Sequence, residues 1–220
     1  LPSMGKDRTM FPQMSETLAA AMGREVLAVV EWLAFEEDGD ALDLLTTATT
    51  FVDGELAALY GMASPGPGGP HRVDREPAAV RAGLLGMAAL LALNAHPAAT
   101  SPTLRGRFVQ QNLRCVDVPA PPPGVATNLD ATGEGGVPLT VREKLEAHRA
   151  DPACAGCHSV MDPIGLGLES FDAIGAYRTT EADRPVDARS EMEGRVFEGP
   201  AELGALLRED PKVAKCLVRR

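Results

Sequence analysis

The chain has 220 residues, 45% apolar and 24% charged, the balance of an ordinary soluble globular protein with one or two domains. Its net charge of −10 is spread evenly: 9 basic and 14 acidic residues up to Val118, 12 and 17 after it, with no basic stripe to mark a nucleic-acid binder. The longest apolar run, Ala82 to Leu93, has 12 residues and falls short of the roughly 20 that span a bilayer.

Leu1 opens the chain in place of a start Met, and no signal segment is visible. A processed or cut N-terminus is therefore expected, and compartment stays open at this point. From about Ser15 to Phe35, Leu18, Met22, Val26, Val29, Val30 and Leu33 recur at helical spacing, and Glu36, Glu37, Asp38 and Gly39 end the pattern. A short helix is expected from Ala41 to Thr47. Another is expected from an Asp53 N-cap through Leu56 and Leu59 to Tyr60, with Gly61 closing it. Ser64 to Pro70 (SPGPGGP) continues no regular element and marks a boundary between helical regions 1–63 and 71–118.

A helix apolar nearly all round is expected over Ala79 to Leu93, buried between its neighbours. Ser101 and Pro102 form a cap and first turn for one running through Leu104, Phe108 and Leu113. Pro119 to Gly124 reads as extended polyproline-like chain, and residues 119–139 as the main linker. Thr140 and Glu143 make a capping box for a helix from Val141 to about His148. Asp151 and Pro152 then restart a helix, a separate turn is expected from Pro163 to Phe171, and Gly194 turns a small hairpin within Val186 to Phe197. Leu203, Leu206 and Leu207 belong to a helix, and Pro211 opens the last one. The fold class is mainly α: a helical N-terminal region, then a small helical segment over 140–220 with a short β-hairpin.

Four cysteines are too few for a disulfide scaffold. Two of them, Cys154 and Cys157, stand three apart with His158 directly after, the spacing of covalent c-type haem attachment. On a helix, positions i, i+3 and i+4 share a face. Two thiols so placed can form thioethers with the two vinyl groups of a porphyrin, while the histidine supplies the proximal nitrogen to iron. Ala155 and Gly156 between them are small enough for a flat macrocycle to approach. Zinc, a redox dithiol and a plain Cys154–Cys157 disulfide are the alternatives. Zinc needs four ligands and finds no second paired motif, and no βαβ pattern surrounds the cysteines.

The segment His148 to Arg178 (HRADPACAGCHSVMDPIGLGLESFDAIGAYR) resembles the C-terminal haem segment of the planctomycete-type c-cytochrome family, large secreted proteins of planctomycetes and myxobacteria built from successive domains of unknown function. FVDGELAALYGM (Phe51 to Met62), RAGLLGMAALL (Arg81 to Leu91), TSPTLRGRFVQQNLRC (Thr100 to Cys115), the PPPGV after it and GPAELGALL with the Cys216 helix are similar to other stretches of the family. The resemblance implies export to the periplasm or beyond, haem c, and a chain that is a piece of a larger parent.

The sixth iron ligand stays open between His148, Met192 and a vacant distal site; Met161, three residues after His158, lies on the wrong face to reach it. Asp162, Pro163, Gly165, Glu169, Phe171 and Asp172 match the family segment, and Ile164, Leu166, Leu168 and Phe171 read either as a haem wall or as an ordinary core face. Arg105 reads as a haem-propionate contact or a surface ion pair, and Tyr177 and Arg178 share that ambiguity. Cys115 and Cys216 read as a disulfide in an oxidising compartment or as two separate buried thiols. His71 and His96 read as surface residues, Trp32 and the helical methionines as core. The function expected is extracytoplasmic electron transfer through one haem c held by Cys154, Cys157 and His158, with an unidentified redox partner protein. A haem enzyme with an open distal site, or a non-haem module, is the alternative.

Overall fold

The computed structural model describes residues 4–76, 80–119 and 137–219. It is 49% helical, and its sheets are short two-stranded pairs, so the chain is mainly α with small β-hairpins. Most of the expected linker, together with Ala79 at the start of one expected helix, lies outside the described residues.

Where local chemistry specifies a helix, the structure has it. Helix α1 (Glu16–Phe35) starts on Ser15, whose hydroxyl accepts from the Leu18 amide, and buries Leu18, Met22, Val29, Trp32 and Leu33 on one face. The short helix over Ala41–Leu45 is a 3₁₀ turn with a reciprocal Asp40–Asp43 cap. Strand β1 (Thr49–Val52) leads into α2 (Gly54–Leu59), which is capped by Asp53. Strand β2 (His71–Asp74) pairs antiparallel with β1, Thr49 opposite Asp74, from the far side of the Ser64–Pro70 loop.

The long apolar helix expected up to Leu93 is shorter. Its α-helical part, α3, covers only Ala88–Leu93, preceded by a 3₁₀ turn over Leu84–Gly86. The reason is Gly83, which sits at φ +59° with its Cα face against the Leu45 carbonyl, a site no side chain can enter. Helix α4 (Pro102–Phe108) begins on a Ser101 cap and runs on as one wide π turn over Val109–Leu113.

Helix α5 (Val141–Arg149) carries the Thr140–Glu143 capping box. Helix α6 (Pro152–Leu166) differs from expectation, because Pro163 stands inside it instead of opening a new turn. A proline there removes one helical hydrogen bond at a cost of ~3 kcal/mol. Close packing offsets that cost. Gly106 of α4 lies against the Met161 carbonyl and Gly165 of α6 against the Pro102 carbonyl, so the two backbones meet with no room for a Cβ at either crossing. The Ser190 hydroxyl also donates to the Pro163 carbonyl. Beyond α6 come β3 (Thr180–Glu181) paired with β4 (Arg184–Pro185), then β5 (Arg189–Met192) paired with β6 (Arg195–Glu198), then α7 (Gly199–Glu209) and α8 (Pro211–Arg219). Glu193 and Gly194, both at positive φ, make the expected hairpin turn between β5 and β6.

Two apolar clusters fill the interior. One gathers Leu45, Leu91, Val109, Ile164, Phe171 and Phe197; the other centres on Leu18, Met22, Val52, Leu56 and Ile174. Helix α3 joins them, with Leu91 in the first and Ala88 and Ala89 in the second. Cys115 and Cys216 form a disulfide across 101 residues that ties α8 to the end of the π turn. Beside it the buried Arg114 guanidinium pairs with Asp210 at 2.6 Å and with Glu193 at 2.6 Å.

Candidate haem-attachment site

Pro152 is the first residue of α6, where its missing N–H and fixed φ cost nothing. From there Cys154, Cys157, His158, Met161, Asp162 and Gly165 follow one another at helical spacing along a single stripe. The stripe changes character along its length. Cys154, Cys157 and His158 are half-exposed, and a side chain added at Gly156 would meet open space. Met161, Asp162 and Gly165 are buried against α4. The two thiols are free, in contrast to the bonded pair elsewhere in the chain.

His158 is held from below. Its Nδ1 lies 3.0 Å from Oδ2 and 3.1 Å from Oδ1 of Asp162, whose side chain is fully buried. Thr103 of α4 donates its hydroxyl to the same carboxylate at 2.8 Å. Burial pushes the Asp162 carboxyl above the ordinary range, while Thr103, His158 and the nearby Arg149 pull it down. With Nδ1 engaged, Nε2 is the nitrogen left for a metal. The donor set therefore fits haem c: two free thiols and the second imidazole nitrogen of His158 on the half-exposed part of one helical face. Among the described residues, no three His, Cys, Asp or Glu side chains converge as a set that could hold a metal ion, so four protein ligands for zinc are not assembled there.

The other residues singled out from the sequence are placed as follows. His148, near the end of α5, lies edge-on to His158, ring centroids 4.6 Å apart. An iron between two imidazoles keeps their nitrogens about 4 Å apart, at about 2 Å per metal–nitrogen bond, and the ring centres further still. His148 in this position thus flanks the proximal ring and does not face it across a haem. Met192 is a core residue, packed in the first apolar cluster, and Met161 is buried as well. Ile164, Leu168 and Phe171 belong to the same core, and Leu166 is buried beside them.

Arg105 corrects its surface reading. It is 2% exposed, and its guanidinium donates to Glu169 at 2.9 Å and to the carbonyls of Leu168, Phe171 and Asp172 at 2.7–2.9 Å. Glu169 also takes Thr100 at 2.6 Å and Arg178 at 2.8 Å. These groups brace the 168–172 turn from inside. Tyr177 is half-exposed, its ring edge against Phe171.

Two arrangements went unread in the sequence. One is the Asp162–His158 contact, although the i, i+4 spacing was its visible signal. The other is Glu25, fully buried in α1, which accepts from Thr50 at 2.5 Å and Tyr60 at 2.6 Å; burial raises its carboxyl above the ordinary range despite both hydroxyls. A cleft of about 400 Å³ also opens between α5, the end of α6 and the β5–β6 hairpin, with Arg142, Arg149 and Arg189 on its walls and Pro163, Leu166 and Val196 as apolar lining.

Two family models match parts of the chain. Residues 81–181 match the family model PSCyt3, a protein of unknown function (DUF1588). Residues 1–62 match PSD4, a protein of unknown function (DUF1592). These two domain models each cover less than half of the chain. They are domains found in planctomycete cytochrome c-type proteins. The PSCyt3 match contains the whole Cys154–His158 motif, the α4–α6 crossing and Asp162. No curated protein matches the chain, and no solved structure does.

Proposed function

We propose that this chain is a haem c-bearing module of an exported electron-transfer protein of the planctomycete cytochrome type. The observation that carries the reading is the pair of free thiols, Cys154 and Cys157, on one exposed helical face with His158, whose Nδ1 is already engaged. In this reading both thiols anchor one haem as thioethers and Nε2 of His158 is the proximal ligand. The group supplies a one-electron iron couple. The chain holds His158 in orientation, keeps the base of α6 dry through the α4 crossing, and offers Arg149 and Arg189 in the neighbouring cleft as cations for anionic carboxylates. The Cys115–Cys216 disulfide suits an oxidising compartment outside the cytoplasm, which supports export.

A second reading has one specific support. Met192 is committed to the core and His148 flanks His158, so neither candidate distal ligand stands free, which favours a vacant distal position open to a small molecule. The experiment is a spectroscopic and potentiometric titration of protein made with export and haem-maturation machinery. A carrier gives one reversible one-electron wave and low-spin bands that added imidazole leaves in place. High-spin bands that shift with imidazole mean the open-site reading. A pyridine haemochrome assay without haem overturns both.

A further inference from the structure

Thioether attachment needs only the thiols, and iron ligation only Nε2 of His158, yet a buried carboxylate meets the other side of the same ring. Asp162 is one helical turn below His158, its side chain wholly enclosed, its two oxygens 3.0 and 3.1 Å from Nδ1. An ionised carboxylate only accepts hydrogen bonds, so Nδ1 carries the proton and donates it, which fixes the tautomer. The carboxylate is itself held. Thr103 donates to Oδ1 at 2.8 Å from α4, and the α4–α6 crossing at Gly106 and Gly165 sets the distance between the two helices. A side chain that merely filled the core at position 162 would be apolar, because enclosing a carboxylate is costly without partners. Here both partners are specific, and one of them is the proposed haem ligand.

We infer that Asp162 is a positioning residue for His158 that sets the electron-donating strength of the axial nitrogen. This rests on the haem reading above. A charged acceptor at Nδ1 places negative charge on the imidazole, and this favours ferric over ferrous iron on the opposite nitrogen. Thr103 acts in the other sense, because its donated proton withdraws charge from the carboxylate. The pair sets the potential low, and Thr103 limits how low.

The test is the midpoint potential of the exported, haem-loaded chain. Asp162→Asn keeps the shape and removes the charge, and the potential rises by the equivalent of at least a tenfold change in ferric-over-ferrous preference, which is 59 mV for a one-electron couple. Thr103→Val removes the hydroxyl and leaves the carboxylate, and the potential falls. Opposite signs from two neighbouring substitutions are not what a general loosening of the fold produces. If Asp162→Asn does not accumulate, the fall in Thr103→Val still decides the matter. A wild-type chain with haem, and variants whose potential stays at the wild-type value, overturns the role of Asp162 and spares the haem reading. A wild-type chain that takes up no haem overturns both.

Discussion

The chain uses cysteine in two regions and in opposite ways. Cys115 and Cys216 are 101 residues apart, bonded to each other, and flanked by the buried Arg114 network, so that pair closes the C-terminal helix onto the rest of the fold. Cys154 and Cys157 are one helical turn apart, unbonded and half-exposed. A cross-link over a long loop removes much unfolded-state entropy, whereas one over a single turn removes little. The first pair therefore belongs to stability. The second is free for chemistry.

Substitution should separate the two regions cleanly. Replacing Cys154 and Cys157 by Ala abolishes covalently attached haem in the exported chain, yet moves the unfolding free energy of the apoprotein by no more than about 0.5 kcal/mol, the range of ordinary surface changes. Haem content is read from the denatured, acid-precipitated protein and stability from denaturant titration. A large stability loss in that variant would mean that the open pair is structural after all.

The interior offers the next largest effect. Arg105→Met strands Glu169 in the core with Arg178 as its one remaining cation, and costs about 3–5 kcal/mol by the same titration. Replacing Cys115 and Cys216 by Ala costs about 2–5 kcal/mol and leaves haem attachment intact. Loss of haem in the latter variant would show that the two regions are not independent.

The smallest effect is a pH dependence close to the bonded pair. Lys212 and Arg114 hold the Glu193 carboxyl at about 2, below its ordinary 4.5. A depressed folded-state value means stability that is present above pH 4.5 and is lost as pH falls toward 2. Glu193 is more than half exposed, so the slope is shallow and flattens with added salt. Glu193→Gln removes it. An unchanged acid limb in that variant contradicts the pairing.

How much of this was legible depended on distance along the chain. Caps and turns are local, so Ser101, Asp53, the Thr140–Glu143 box and the Gly194 hairpin stand where their chemistry puts them. The Cys154–His158 motif is local too, and helical spacing was enough to place its three residues on one face. What failed was whatever depended on a distant partner. Arg105 is enclosed by carbonyls more than 60 residues away, so a reading from its own stretch, as a surface or propionate-binding charge, had no means of detecting burial. Strands β1 and β2 find each other only across the Ser64–Pro70 loop. Pro163 looks like a helix start until the α4 crossing that holds its helix together is seen. Gly83 ends the long apolar helix for a similar reason: it is pressed against the Leu45 carbonyl, and no periodicity in Ala82 to Leu93 announces that neighbour.

The direct test of the central claim is peptide mapping of the exported chain. Trypsin cuts after Arg149 and next after Arg178, releasing one peptide that holds both Cys154 and Cys157. The account predicts that this peptide carries a single haem, absorbs in the visible and resists alkylation at both sulfurs. The same peptide recovered colourless with two alkylated cysteines, from cells that mature other c-type cytochromes, would contradict it.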